Sequence, residues 1–291
     1  MSEQVCKTDV ECCGGLAGVD AGGYPVEATG NAVLDILEHR SSTRAFAHDD
    51  EGRPVAVTDE QRAAILHAAS RAPSAGAMMM YSIVSIREQA TLDHLADLCD
   101  HQPMIAKAPW ALIFVVDYAK WIDLFEHVGC FEPEFVERTG KSPRRAPGLG
   151  DFAIAAQDAV IAAQNAVVAA EALGLGSCYI GDIVENAEEV AELLGLPPYT
   201  MPLSMLIIGT PRKERPAIAH PVVNLVHEER YCRADDATMD AQAAEMDAMF
   251  RPHAREVGER VVDIYTRKHT SPFMAEMSRS MEWWFKNWLG K

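Results

Sequence analysis

The sequence has little positive charge for its length. Lysine and arginine together number 26, against 43 aspartate and glutamate residues, so the 291-residue chain has a formal net charge of −17 at pH 7. A chain this acidic repels phosphate backbones and anionic lipid headgroups. The composition therefore argues against a nucleic-acid-binding protein and against a protein that attaches to the membrane surface.

Long uninterrupted apolar runs are also lacking. The most apolar segment, residues 152–170, is interrupted by Asp158 and by amide side chains, whereas a membrane-spanning helix needs about 18 consecutive apolar residues. The N-terminus carries acidic residues where a secretory signal has a cationic start and an apolar centre. These features predict a cytoplasmic protein.

The residue spacings typical of metal and redox sites do not occur in the sequence. The seven cysteines are odd in number and scattered, which fits reduced thiols better than a disulfide framework. Cys6, Cys12 and Cys13 form a small group without a C-x-x-C pair, so a loose tail is favoured there over a metal or redox site. No H-E-x-x-H, P-loop or G-x-S-x-G motif occurs, and we expect no bound metal.

Hydrophobic patterning divides the chain into three parts. Residues 1–30 are rich in glycine and show no hydrophobic period, which predicts a flexible tail. Residues 31–231 contain helices and strands, and residues 232–291 predict two helical stretches at about 235–269 and 272–289. The order of elements is not a regular βαβ series, so the pattern favours an α+β or mixed α/β sandwich over a doubly wound fold.

Start signals and periodicity locate the individual elements. Helices are predicted at residues 31–38, 58–70, 152–173 and 186–194, and strands at 81–86, 111–116 and 201–209. Asn31 and Asn186 are the expected N-caps, and Thr58 with Gln61 forms a capping box. The ten alanines in residues 152–173 let other helices approach closely and predict a buried central helix. Residues 117–150 contain several prolines and glycines and predict an irregular excursion.

The segment from Arg40 to Arg44 is dense in hydrogen-bond donors. It places two guanidinium groups and three hydroxyl groups within five residues. Arginine forms bidentate, charge-assisted bonds to phosphate, and serine hydroxyls add donors to the same anion. A phosphate site and an ordinary capped turn with solvated arginines are equally favoured at this point.

Two further motifs each have a ligand-binding and a structural interpretation. Gly174, Gly176 and Gly181 follow a helix rather than a strand, which excludes a dinucleotide fingerprint, and Gly174 is the expected C′ residue of that helix. The remaining glycines suit a flat ligand that approaches the main chain. Residues 73–80 contain three consecutive methionines, which either fill the core or line an apolar slot for a planar ring.

One face of the last predicted helix carries large apolar side chains at helical spacing, namely Met277, Met281, Trp284 and Trp288. Packing against the body or against a partner subunit is favoured there over a lid that covers a site.

Four blocks of sequence, taken together, resemble the nitroreductase family of FMN-dependent NAD(P)H oxidoreductases. The blocks are residues 36–46, 72–76, 108–109 before a strand, and 158–181. The resemblance covers about residues 31–231, and the C-terminal stretch resembles an extension found in one branch of the family. It implies an α+β fold with a four- or five-stranded mixed sheet flanked by helices. It also implies an intertwined homodimer that binds FMN at its interface.

The resemblance implies cofactor roles for the first block. Arg40, Ser41 and Ser42 correspond to positions that hold the FMN phosphate and ribityl chain. Arg44 corresponds to a cation that faces the N1/O2 edge of the flavin and stabilises charge on the reduced ring.

Two later segments also correspond to cofactor contacts in the family. Pro73, Ser74 and Ala75 fall on the loop that covers the flavin from the other subunit. The backbone amide near Ile180 and Gly181 falls where the family forms a hydrogen bond to flavin N5.

The chain departs from the family pattern at three places. Ala77 and Met79 occupy cofactor-loop positions where the family commonly has Asn and Gln. The family also has a Lys or Arg on the phosphate near the end of the core, and the candidates here are Arg212, Lys213 and Arg215.

The combined prediction is an enzyme that takes hydride from NADH or NADPH and reduces a flat, electron-poor substrate such as a nitroaromatic or a quinone in a ping-pong sequence. Because the cofactor carries the difficult chemistry, no catalytic acid or base is expected. Ala77 leaves an alternative open, a non-catalytic FMN-binding or sensor protein on the same fold. A third interpretation is a dimeric interaction scaffold that binds a different cofactor or none.

Overall fold

The structure is a computed structural model that describes residues 30–141, 144–213 and 224–290. The chain divides into two compact units. Of the described residues, the first unit contains 30–39 and 224–274, and the second contains 40–141, 144–213 and 275–290. The predicted N-terminal tail, including Cys6, Cys12 and Cys13, lies outside the described residues apart from Gly30.

The second unit is built on a four-stranded sheet. The strands are β1 (Tyr81–Ile86), β2 (Trp110–Asp117), β3 (Gly176–Ile180) and β4 (Thr200–Gly209). Their order in the sheet is β1-β2-β4-β3, and every pairing is antiparallel. The α+β class is confirmed, although the parallel pairing that a mixed sheet requires does not occur among the described residues.

Strand β3 is missing from the sequence prediction, which places no strand between the helix that ends at residue 173 and the helix that begins at residue 186. The five residues from Gly176 to Ile180 pair with β4, Gly176 opposite Gly209 and Ile180 opposite Met205. Tertiary pairing therefore overrides the low strand propensity of glycine.

Eleven α-helices surround the sheet or lie in the first unit, within the part of the chain that is described. They are α1 (Ala32–His39), α2 (Asp59–Ser70), α3 (Gln89–Leu98), α4 (Pro103–Ala106), α5 (Ala119–His127), α6 (Pro133–Thr139), α7 (Leu149–Ala172), α8 (Ala187–Leu194), α9 (Asp236–Phe250), α10 (Glu259–Ile264) and α11 (Pro272–Leu289). Short 3₁₀ turns occur at Ala75–Ala77 and Asp182–Val184, and a π-helical turn at Tyr265–His269.

The caps of α1 and α2 confirm the start signals in the sequence. The Asn31 side chain accepts hydrogen bonds from the backbone N–H groups of Val33 and Leu34. Thr58 and Gln61 form the reciprocal capping box, and α2 ends at Ser70 as predicted.

The core of the second unit lies on both faces of the sheet. Alternate side chains of β2, such as Leu112 and Phe114, pack toward the alanines of α7, and the intervening ones, such as Ile113 and Val115, pack toward α3 and α8. Every residue of β2 is buried. This explains why its sequence is almost continuously apolar rather than alternating.

Helix α7 is central but not buried on all sides. Its buried alanines, such as Ala159 and Ala163, face α2 and the sheet, whereas Ile154, Val160 and Ile161 are exposed. The expectation of a helix buried all round is therefore wrong for one face. By length and composition this helix is apolar enough to cross a membrane, as core helices of globular proteins also are.

The excursion at residues 117–150 is more regular than predicted, because it forms α5 and α6. Pro133 is the first residue of α6, where the missing N–H of proline costs nothing. Gly140 ends α6 in the left-handed conformation. Proline and glycine thus mark helix boundaries here and not the absence of helix.

The start of α8 also differs from the prediction. Asn186 precedes the helix, but its side chain donates to Leu98 O at 2.7 Å and makes no cap. The cap comes from α11 instead, where Ser280 Oγ accepts from Ala187 N at 3.2 Å and Glu276 Oε1 accepts from Asn186 N at 3.2 Å.

The tryptophans of α11 pack against the body, as predicted. Trp284 and Trp288 are fully buried. Trp284 Nε1 donates to Val184 O at 2.9 Å, and Trp288 Nε1 donates to Gly148 O at 3.1 Å. Both indole groups therefore combine apolar burial with a satisfied polar atom.

Candidate functional site

The segment after Arg40 is fixed against the edge of the sheet by Thr43. This side chain is buried, and Thr43 N donates to Ser177 O at 2.7 Å. A Cβ added at Gly176 would lie 1.8 Å from Thr43 Oγ1. Gly176 is thus explained by the close approach of Thr43 and not by a ligand.

The structure separates the two arginines of this segment into different surroundings. Arg40 is half-buried, as are Ser41 and Ser42, and its charge acts on the phenol of Tyr179 in β3. Burial raises the pKa of Tyr179 to about 12, and Arg40 opposes this rise. The Tyr179 hydroxyl also lies 3.4 Å from Gln164 Oε1 on the exposed face of α7.

Arg44 lies in a cleft of about 720 Å³ together with Lys107 and Arg212. The other lining residues are Ala45, Phe46, Ala47 and His48. None of the described residues that line the cleft is acidic, and within the described parts of the chain no carboxylate pairs with any of its three cations. In a protein with a net charge of −17, such a concentration of unpaired cations suits an anionic ligand.

Backbone pairing holds the walls of this cleft in place. Ala47 N donates to Thr210 O at 2.8 Å, and Arg212 N donates to Ala45 O at 3.0 Å. The residues 44–48 therefore run beside the end of β4. Two of the sequence candidates, Arg44 and Arg212, are brought together by this pairing.

The loop between α2 and β1 has an unusual backbone. Gly76, Ala77 and Met79 have φ angles of 59°, 55° and 47°. Ala77 and Met79 are exposed, so the loop presents its backbone and a methionine side chain to the outside. Left-handed backbone is unfavourable for residues with a Cβ, which means that other contacts must maintain this conformation.

Asp158 of α7 supplies those contacts. Its carboxylate is only 2% exposed. It accepts from Ser74 Oγ at 2.6 Å, from Ala75 N at 3.0 Å and from Met80 N at 3.2 Å. The sequence marks Asp158 as a carboxylate on an apolar helix and as the first residue of a family block, and neither feature indicates which groups it holds.

The comparisons with known proteins agree with this architecture. The sequence model described as "Nitroreductase family" matches residues 37–210. The chain belongs to the nitroreductase family.

Curated relatives of this family member include two with about one third identity. One is "FMN reductase [NAD(P)H]" of Bacillus subtilis, 32% identical over 216 residues, which are 73% of this chain and 80% of that protein. Another is "Oxygen-insensitive NADPH nitroreductase" of Salmonella typhimurium, 33% identical over 219 residues, which are 73% of this chain and 81% of that protein.

Solved structures of the family share the fold. The NADPH:FMN oxidoreductase from Vibrio harveyi, solved as a complex with NAD⁺, matches with a TM-score of 0.66 and 26% identity over 86% of this chain and 97% of that one. Nitroreductase A from Vibrio parahaemolyticus matches with a TM-score of 0.70 and 24% identity over 90% and 99% of the two chains.

Two of the predicted site residues, Ser74 and Ile180, have side chains that are already engaged or buried within the protein. The Ser74 hydroxyl is engaged with Asp158 and accepts from Met79 N at 2.6 Å. Ile180 is buried at the end of β3, and Gly181, directly after it, is exposed. Arg215 lies outside the described residues.

Two residues near the site are not in the sequence prediction. Lys107 immediately precedes the family block at residues 108–109 and lines the cationic cleft. Asp158 begins the last of the four blocks and holds the loop. Proximity in sequence to a family block is the signal that was available for both.

Proposed function

We propose that the protein is an FMN-dependent NAD(P)H oxidoreductase that reduces flat, electron-poor substrates such as nitroaromatics or quinones. The NAD(P)H-dependent flavin and nitro reductases among its relatives support this activity. The observation that carries the proposal is the cationic cleft of Arg44, Lys107 and Arg212. The reaction follows a ping-pong sequence, in which the nicotinamide leaves before the oxidised substrate binds.

The donor set of the cleft fits FMN. Guanidinium groups bind phosphate through charge-assisted hydrogen bonds and stabilise negative charge at the pyrimidine edge of a flavin. Arg44 and Arg212 are both exposed on this cleft and have no competing carboxylate among the described residues. When bound, FMN would supply the hydride-transfer chemistry, and the protein would supply binding and orientation.

The loop at residues 74–80 and the end of β3 would flank the ring. Gly181 is exposed and has open space where a Cβ would be, so a planar group can approach the backbone there. Met79 is 46% exposed and offers an adaptable apolar contact. Such contacts suit flat substrates but do not select among them.

A homodimer would bring these parts together. Ile154 and Ile161, which are seven residues apart, form an exposed apolar stripe on α7 at helical spacing, and the exposed Val160 lies beside Ile161. Ile161 is three residues after Asp158 and Ile154 is four before it, so the stripe adjoins the loop that Asp158 holds. Pairing of two copies through α7 would cover this stripe and place the loop of one copy against the other copy.

The first experiment is an absorption spectrum of the purified protein, recorded before and after anaerobic addition of NADH or NADPH. We expect flavin absorption at about 450 nm that is bleached by one or both nucleotides. A flavin band that neither nucleotide bleaches would instead identify a non-catalytic FMN-binding or sensor protein. A colourless protein that ignores added FMN would contradict the proposal and favour a scaffold function.

A double variant and its control test whether the cleft binds FMN. Arg44→Ala combined with Arg212→Ala removes two of the three cations, and we expect the dissociation constant for FMN to rise by at least about tenfold. Arg53→Ala is the matched control, because Arg53 is an exposed arginine that pairs with Asp49 and Glu51 outside the lining of the cleft. Fluorescence quenching of free FMN measures the dissociation constant of both variants.

Cell fractionation tests the cytoplasmic location that we also propose.

A further inference from the structure

We propose that Asp158 is a positioning residue for the cofactor: it holds the Ser74–Met80 loop in the shape that FMN binding requires. This inference rests on the proposed function. Asp158 itself is 2% exposed and is oriented toward the loop, so it is not a catalytic residue.

The bonding of the carboxylate carries the proposal. Both oxygens are used, since Oδ1 accepts from Ala75 N, and Oδ2 accepts from Ser74 Oγ and Met80 N. None of the ion pairs between described residues includes Asp158. A buried carboxylate is costly unless hydrogen bonds compensate its lost hydration, and here the loop supplies three donors, Ser74 Oγ, Ala75 N and Met80 N. Asp158 and the loop conformation therefore depend on each other.

Ser74 connects Asp158 to the far end of the turn. Its hydroxyl donates to Asp158 Oδ2 and accepts from Met79 N at 2.6 Å, so it links the two ends of the left-handed stretch. Three residues of this stretch have positive φ angles, two of them with a Cβ. A conformation of this kind persists only where surrounding contacts determine it.

The Ser74 hydroxyl forms its hydrogen bonds within the protein, to Asp158 and Met79, and not to the cofactor. The atoms that the loop presents outward belong to Ala75, Gly76, Ala77 and Met79, all of which are exposed. Asp158 thus decides which backbone groups face the cofactor, and a small displacement of such a contact surface weakens binding substantially.

The test compares Asp158→Asn with Asp117→Asn. An Asn side chain has one carbonyl oxygen and an NH₂ group, so it cannot accept from all three donors at residue 158. Asp117 is a matched control because it is also a buried carboxylate, accepting from Ser82 Oγ at 2.5 Å and from Lys120 N at 3.2 Å, but its side chain has no hydrogen bond to the loop. Ser74→Ala is the second variant, which keeps the carboxylate but removes both the hydrogen bond to Asp158 and the one from Met79 N.

Two measurements are made on the full chain. Amide hydrogen exchange of the protein without FMN reports loop order, and the dissociation constant for FMN reports binding. We expect Asp158→Asn to accelerate exchange across residues 74–80 and to raise the dissociation constant by at least about tenfold. Ser74→Ala should cause a smaller change of both, and Asp117→Asn should change neither.

Different results separate this inference from the function on which it rests. Unchanged exchange in Asp158→Asn, or faster exchange with an unchanged dissociation constant, would overturn the positioning role. If the unaltered protein bound no FMN, the proposed function would fail and the cofactor part of the inference with it. The exchange data would then still decide whether Asp158 holds the loop.

Discussion

Ala77 shows at the scale of one residue how the chain departs from its family. It has a φ of 55°, a conformation that Asn and Gly adopt more readily than Ala. We expect Ala77→Gly to raise the free energy of unfolding by about 0.5–1 kcal/mol, since the strain of the Cβ is relieved. Urea denaturation measures this. Ala75→Gly, in the same turn at a position without positive φ, should lower stability instead, and stabilisation by both changes would refute the explanation.

A second variant at residue 77 tests whether the Asn that the family commonly has there contacts the cofactor. Ala77→Asn restores the residue that the family commonly has, in a backbone conformation that Asn tolerates. If the amide contacts the cofactor as the resemblance implies, the dissociation constant for FMN should fall relative to both the original protein and Ala77→Gly. Equal affinities of the Asn and Gly variants for FMN would show that any gain in affinity comes from relief of backbone strain and not from the amide.

At the scale of elements, α11 illustrates a helix whose attachment rests on two buried indoles. Trp284 is fully buried and donates to Val184 O. Trp284→Ala would leave a cavity and an unpaired carbonyl, so we expect a loss of about 3–5 kcal/mol of unfolding free energy. Lys286→Ala, an exposed position of the same helix, should have little effect. Thermal and urea unfolding of the two variants test this, and similar values for both would contradict it.

The contact of α11 with the start of α8 also makes stability depend on pH. The hydrogen bond from Arg279, assisted by Ser280, lowers the pKa of Glu276 to about 2 from its ordinary value of 4.5. A lowered pKa contributes stability that is fully present above about pH 4.5 and is lost as the pH falls toward 2.

We therefore expect Glu276→Gln to flatten the dependence of unfolding free energy on pH between about 4.5 and 2. Above this window the variant should be less stable than the original protein, and the difference should shrink as the pH falls. Glu282→Gln, exposed on the same helix, is the control. If the difference in stability between the variant and the original protein stayed constant with pH, the lowered pKa of Glu276 would not be its cause.

At the scale of the whole molecule, the exposed stripe of α7 makes a definite prediction about assembly. Val160→Glu together with Ile161→Glu would place two charges in the proposed interface, where unpaired charges are costly. Light scattering should show the original chain at about twice its 31.9 kDa and the variant as a monomer. Leu124→Glu, an equally exposed apolar residue on α5, should stay dimeric. A monomeric original chain would refute the dimer.

Local signals in the sequence identified most elements and failed where partners are distant. The capping box of Thr58 and Gln61 involves residues three apart, and the prediction for α2 was confirmed. Asn186 has the residue type of a cap, yet the cap of α8 comes from Ser280, which accepts from Ala187 N at a separation of 93 positions. Strand β3 was missed for the same reason, because its pairing with β4 outweighs its glycines.

The residues of the candidate site also differ in whether local sequence signals or distant contacts determine them. The sequence by itself determined the acidic composition, the apolar strands, the capped helices and the family blocks, because these depend on residue types and short spacings. Only the tertiary structure decided that Arg44 shares a cleft with Lys107 and Arg212, and that Asp158 holds a loop about 80 positions earlier. Packing brings such residues together, and no local pattern records which distant donors a buried carboxylate will meet.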